Sequence, residues 1–182
     1  MARVHDCLDQ NLIDWIGEQH LFFVASAPAG AEGHVNLSPK GYDSFRVLDD
    51  RTVAYLDLTG SGVETIAHLR DNGRLTFMFC AFDGPPRILR LFGTGDVVQP
   101  GHPEFEALAA GFAPLPGVRA VIRCRLDRIQ SSCGYAVPFM SYQAERDMLA
   151  EWAERKGPEG IELHHGEKNT VSIDGLTGLT GV

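Results

Sequence analysis

An antiparallel β-barrel carrying a few peripheral helices is the fold class this sequence predicts, and two observations predict it. Six or so strand-like segments follow one another with few helical stretches between them, whereas a doubly wound parallel sheet needs a crossover at each step. The composition, 44% hydrophobic and 22% charged over 182 residues, is that of a globular chain with enough apolar side chains for a sizeable core. The fold class is mostly β.

Leu12, Ile13 and Trp15-Ile16 recur at helical spacing between Asp9 and Gln19, which predicts a short first helix ending near Gly17. His20 to Ala27 reads as a buried strand from its Leu-Phe-Phe-Val run, and Pro28 to Gly33 as a turn. From His34 to Lys40, Val35, Leu37 and Pro39 alternate with Asn36, Ser38 and Lys40. That is a half-buried strand with a polar face. Phe45 to Leu48 and Thr52 to Leu58 are short strands around the Asp49-Asp50-Arg51 turn. After the loop Thr59-Gly60-Ser61-Gly62 the period changes. Val63, Ile66, Ala67 and Leu69-Arg70 predict a helix stopped at Asn72-Gly73.

Arg74 to Phe82 and Arg87 to Gln99 are long strands joined by a hairpin connection at Asp83-Gly84-Pro85-Pro86. His102 to Phe112 reads as a helix with Pro103 near its first turn, and Val118 to Ile129 returns to strand. Tyr142, Met148-Leu149, Trp152 and Ala153 predict an amphipathic helix over Ser141 to Lys156. The division expected is a barrel domain with its C-terminal helix over 1–157 and a tail over 158–182. That tail is Gly-rich yet keeps Ile161, Leu163, Val171, Ile173, Leu176 and Leu179, so it should dock on the barrel or on a partner subunit.

Sixteen basic against twenty-four acidic residues leave a formal charge of −8, and no basic face is visible, so nucleic acid is not an expected partner. The apolar runs at Leu21 to Ala27 and Leu75 to Phe82 are less than half a bilayer span, so no membrane association is expected. Arg3, His5, Asp6 and Asp9 precede any apolar block, which is not a secretory signal. Cys7, Cys80, Cys124 and Cys133 lie far apart, and Cys80 and Cys124 read as buried reduced thiols. A cytoplasmic protein is the expectation.

The usual catalytic signatures fail in turn. Gly60, Ser61 and Gly62 echo a nucleophile elbow, but Thr59 stands where Gly is needed. There is no dinucleotide fingerprint after a strand, no Gly-Lys-Ser/Thr and no His-Glu-x-x-His. His164 and His165 are adjacent, which favours a surface pair over a metal site, and no metal is expected. What remains is positional. Asn36, Ser38 and Lys40 present an amide, a hydroxyl and a cation on one strand face. Thr59 to Gly62 opens a helix, whose unpaired N–H groups suit a phosphate. The plainer alternative is that Ser61 or Thr59 is only an N-cap and Lys40 only a solvated charge. Arg87 and Arg90 are three apart, so in a regular strand they face opposite sides and at most one reaches a given ligand.

A resemblance joins these pieces. The runs Phe22-Phe23-Val24-Ala25-Ser26-Ala27, Val35-Asn36-Leu37-Ser38-Pro39-Lys40-Gly41, Tyr55-Leu56-Asp57-Leu58-Thr59-Gly60-Ser61-Gly62 and Arg74-Leu75-Thr76-Phe77-Met78-Phe79 resemble, in that order, the pyridoxamine 5′-phosphate oxidase-like family of flavin-binding proteins. The likeness covers roughly residues 10 to 130. Ser132-Cys133-Gly134-Tyr135-Ala136-Val137-Pro138 and Ser172-Ile173-Asp174-Gly175-Leu176 are similar to an uncharacterised bacterial branch of it. The resemblance implies an antiparallel split β-barrel that pairs as a homodimer, with FMN in two grooves at the subunit interface. It would put Lys40 on the phosphate, with Ser61 and Gly62 at the helix start. Tyr55, Leu56 and Asp57 would lie along the ribityl chain or ring edge, and Asn36, Leu37 and Ser38 along the isoalloxazine. Arg87 or Arg90 would arrive from the other subunit.

Two departures bear on function. Where the oxidase carries Arg-Lys after the helix-start Ser, this chain has Gly62-Val63, so phosphate neutralisation shifts to Lys40, the helix dipole and an arginine from elsewhere. The oxidase's C-terminal Arg and His grip on pyridoxamine phosphate has no counterpart in Gly157 to Val182. The expectation is therefore an FMN-dependent oxidoreductase acting on another small molecule, with no side chain nominated as catalytic. Other readings are a barrel binding the deazaflavin F420, a non-enzymatic flavin- or haem-binding module for storage or sensing (haem taking His20, His34 or His68 as its ligand), or a dimeric scaffold that has lost its ligand.

Overall fold

The computed structural model describes residues 2–182. Its strands are β1 (Arg3–His5), β2 (Phe22–Ser26), β3 (Asn36–Lys40), β4 (Phe45–Val47), β5 (Thr52–Leu58), β6 (Arg74–Cys80), β7 (Ile88–Val98) and β8 (Val118–Ser132). The helices are α1 (Gln10–Gly17), α2 (Glu64–Asn72), α3 (Phe105–Ala109) and α4 (Met148–Lys168). Every strand pairing is antiparallel, in the order β3-β2-β6-β7-β8-β5-β4, with β1 added against β8.

That order forces curvature. β3 and β4 lie at opposite ends of it, and a flat sheet would hold them about 29 Å apart. Residues 41–44 connect them, and so short a link reaches about 18 Å at full extension. The sheet must therefore curl until its edges approach. Across the gap the edges are joined by side chains: Lys40 Nζ of β3 reaches Asp57 Oδ1 of β5 at 3.2 Å. This is an antiparallel split β-barrel.

Alternation fills the interior. Phe22, Tyr55, Phe77 and Phe79 point inward from three strands and with Phe45 form an aromatic core whose neighbouring ring centroids lie 5.0 to 6.3 Å apart, packed with Leu89, Leu91 and Ile122. The opposite face of β5 sends Ala54 and Leu56 into a smaller cluster with Val98, Phe112 and Val121 beneath α3. β7 bends at a bulge between Phe92 and Gly93, where a Cβ on Gly93 would lie 2.1 Å from the Arg125 carbonyl oxygen, so only glycine fits.

α1 begins where expected, with the Asp9 carboxylate accepting from Leu12 N at 2.9 Å. α2 packs against β2, β6 and β7 and ends on Gly73 at φ +72, the left-handed cap that Asn72-Gly73 announced. Three expectations need correction. The third helix spans only Phe105–Ala109. The C-terminal helix starts at Met148 rather than Ser141, because Tyr142 is drawn off to stack on His20 at 3.7 Å and the Tyr42 hydroxyl donates to the Arg146 carbonyl at 2.6 Å. It also passes beyond Lys156: Gly157, at φ 66, kinks it and Pro158 starts a second helical stretch to Lys168. Past Lys168 the chain packs on its own barrel, with Leu179 in the core and Leu179 N donating to the Asn169 carbonyl at 2.8 Å.

Candidate functional site

β3 is an edge strand, and its alternation is turned opposite to the usual sense. Asn36, Ser38 and Lys40 face the split in the barrel and are half-buried, while Val35 and Leu37 are 74% and 62% exposed. The polar face is occupied by a ladder of bonds. Asn36 Nδ2 donates to Thr65 Oγ1 of α2 at 2.9 Å, and Ser38 Oγ donates to Asn36 Oδ1 at 3.2 Å. Lys40 ends the row on Asp57, and Arg119 Nε of β8 meets the other carboxylate oxygen at 2.6 Å. Arg119 then donates from its second nitrogen to the Gly62 carbonyl at 2.7 Å. One strand face, the barrel wall and the start of α2 are thus wired together.

Burial alone would raise the Asp57 pKa, but the charges of Lys40 and Arg119 more than reverse this and hold the carboxyl below its ordinary value. Burial pushes the neighbouring Tyr55 phenol well above its usual pKa, and its hydroxyl has no hydrogen-bond partner in the protein. Both side chains are fully buried, so they stand behind the wall of the site.

The loop before α2 departs from the plain N-cap reading. The N-cap position is Val63, with no side-chain cap bond, so neither Thr59 nor Ser61 serves there. Thr59 Oγ1 instead donates to the Gly117 carbonyl at 2.7 Å and receives the His165 ring nitrogen Nε2 at 2.7 Å. His165 is buried, which corrects the expected surface pair. Burial, then the nearby charges of Arg119 and His164, lowers its pKa. His164 Nε2 donates to the Gly60 carbonyl at 3.2 Å, and Asn169 Nδ2 to the same oxygen at 3.1 Å. Asn169 is fully buried, and its Oδ1 is left without a partner beside this loop.

A cleft of about 590 Å³ opens over these groups. Asn36, Leu37, Ser61 and Gly62 line it together with His34, Val35 and Glu64, while Lys168, Val171, Ser172 and Ile173 form its far wall. The tail is clipped there: His34 Nδ1 meets Asp174 Oδ1 at 2.7 Å, and Asp174 Oδ2 accepts the His34 backbone N–H at 2.8 Å. Of the residues expected at a site, four line the cleft, and Ser38, Lys40, Tyr55 and Asp57 support it from behind. Leu56 points to the α3 side. Arg87 stacks over Trp15 at 5.2 Å and lines a different cleft, and Arg90 donates to Ser132 Oγ at 3.3 Å. A single chain does not bring these last three to the site.

Sequence reasoning missed Arg119, His165, Asn169 and Lys168. Arg119 was one of four arginines in an apolar strand, and periodicity does not say which of them faces inward. The three others lie in a stretch read as tail, and only its apolar content hinted at docking.

The fold and the polar cleft define a class: split-barrel proteins with a ligand-sized groove beside an open sheet edge. The Pyridoxamine 5′-phosphate oxidase family profile matches residues 8–133, and the chain belongs to that family. The pyridoxamine 5′-phosphate oxidase family protein ustO of Aspergillus flavus is 42% identical over 196 aligned positions, covering 98% of this chain and 78% of the relative. Among solved structures, HupZ of Group A Streptococcus is 29% identical and superposes with a TM-score of 0.53 over 66% of this chain and 90% of its own. A pyridoxamine 5′-phosphate oxidase-like protein of Lactobacillus delbrueckii shares the fold at 16% identity, with a TM-score of 0.52 over 69% of this chain and 94% of its own. Among the described residues no helix is long and apolar enough to cross a membrane.

Proposed function

We propose that this chain binds FMN in the cleft between β3, the α2 start and the C-terminal wall, and that it is an FMN-dependent oxidoreductase of the cytoplasm acting on a small molecule other than pyridoxamine phosphate. The observation that carries the reading is the inverted β3. An edge strand that hides its amide, hydroxyl and ammonium and displays Val35 and Leu37 is built to be covered by something both flat and apolar. The residues fit such a group. Ser61 is exposed at the start of a helix that lacks a side-chain cap, as a phosphate requires.

When bound, the flavin supplies the redox chemistry itself. The chain's own residues bind and orient. Ser61 and the first N–H groups of α2 fix the anionic end. Val35 and Leu37 exclude water from an apolar ring. Lys40 and Arg119, locked on Asp57, brace the wall behind the cleft. The second half of the proposal is a homodimer. Away from the cleft, the segment between β8 and α4 exposes Tyr135 at 83% and Phe139 at 82%, an apolar surface that a second copy would cover. A partner copy could also bring Arg87 or Arg90 to the cleft.

An absorption spectrum of the purified protein, repeated on the supernatant after heat denaturation, tests the cofactor. Flavin bands in the supernatant with the mass of FMN are expected. A colourless protein that also fails to take up added FMN would refute the assignment.

A further inference from the structure

We infer that Lys168 is the cation that holds the phosphate of the bound flavin, a role that replaces the missing Arg-Lys pair after Ser61. This rests on the FMN reading and deepens it. The two cations of the polar ladder behind the cleft are already committed. Lys40 and Arg119 share Asp57, at 3.2 and 2.6 Å, and Arg119 is also bonded to Gly62. A second carboxylate lies at the cleft itself. Glu64, in the first turn of α2, lines it and accepts the Ile173 N–H at 3.3 Å. Counting these groups, the two positive charges are cancelled by two negative ones, and a phosphate near −2 would face a neutral wall. His34 adds nothing, because it is bound to Asp174.

Lys168 lines the same cleft as Ser61 and Gly62 and, among the described residues, makes no ion pair. It is exposed, but its place is not accidental. It lies between two residues pinned to the phosphate loop, with His165 bonded to Thr59 Oγ1 at 2.7 Å and Asn169 to the Gly60 carbonyl at 3.1 Å. The backbone on both sides of Lys168 is therefore fixed against the loop, so its side chain springs from a fixed point on the cleft that Ser61 also lines. The last turn of a helix also favours a cation. Residue 168 lies beyond the stretch matched by the family profile, which ends at 133. The C-terminal segment thus supplies the charge that the barrel portion lacks.

FMN and riboflavin differ only in the phosphate, so titrating both into flavin-free full-length protein isolates the claim. Lys168→Ala should weaken FMN about tenfold or more, the scale of one charge-assisted contact. It should leave riboflavin within about twofold, and Lys168→Arg should restore FMN affinity. An unchanged melting temperature would certify the fold. Equal FMN affinity in wild type and Lys168→Ala, or an equal loss for both ligands, overturns the assignment. Wild-type protein that binds neither flavin defeats the reading beneath it, and wild type that binds both equally defeats the phosphate site alone.

Discussion

Asp57 is the residue on which the polar interior turns. It is fully buried, and its two oxygens hold Lys40 and Arg119, so it joins the sheet edge β3 to β5 and β8. Removing it strands two cations, one of them buried. Asp57→Ala should cost about 3–5 kcal/mol in chemical denaturation, and a loss under 1 kcal/mol would show that the pairs contribute little. Because its folded pKa lies below the unfolded value, the stability it lends is present above about pH 4 and is lost as the pH falls through the folded value. His68 and His165 act earlier in acid. Burial is the leading cause that lowers both, so the unfolded chain takes up protons that the folded chain resists. Stability is therefore complete above about pH 6.5 and declines below it. Melting temperatures measured from pH 7.5 to 5.5 should fall, and His165→Gln should flatten the fall; parallel curves would exclude His165 as a contributor.

At the level of elements, much was legible and the failures have causes. Asn72-Gly73 announced the end of α2, and Gly73 takes that left-handed cap at φ +72 with Thr94 Cγ2 waiting 2.9 Å from any Cβ. Gly73→Ala should cost roughly 1–2 kcal/mol in the same denaturation assay, and a neutral outcome would mean the cap rearranges. The alternation of β3 was equally plain, yet its pattern carries no label for inside and outside. Which face turns inward was decided by Asp57 and Thr65, residues from elsewhere in the chain. The helix predicted to end at Lys156 instead kinks at Gly157-Pro158 and continues as a second stretch. The same dipeptide can end a helix or kink it, and only packing chooses. The site followed this division. Asn36, Leu37, Ser61 and Gly62 were readable because a strand face and a helix start are local features. His165 and Asn169 were not, because more than a hundred residues separate them from the loop they bond, and Lys168 reaches the cleft only through them.

For the whole molecule, the curled sheet and the docked C-terminal segment leave the stretch with Tyr135 and Phe139 uncovered. Sedimentation should give twice the 19.9 kDa chain mass, and Phe139→Asp should shift the population toward monomer without lowering the melting temperature of the chain. A wild-type monomer at micromolar concentration would contradict the pairing. The central claim, that the cleft beside β3 receives FMN with its phosphate between the α2 start and the C-terminal wall, is tested most directly by a crystal structure of the protein with FMN. The account predicts the phosphate within hydrogen-bond distance of Ser61 Oγ and Lys168 Nζ. A flavin bound elsewhere, or with its phosphate turned to solvent, would contradict it.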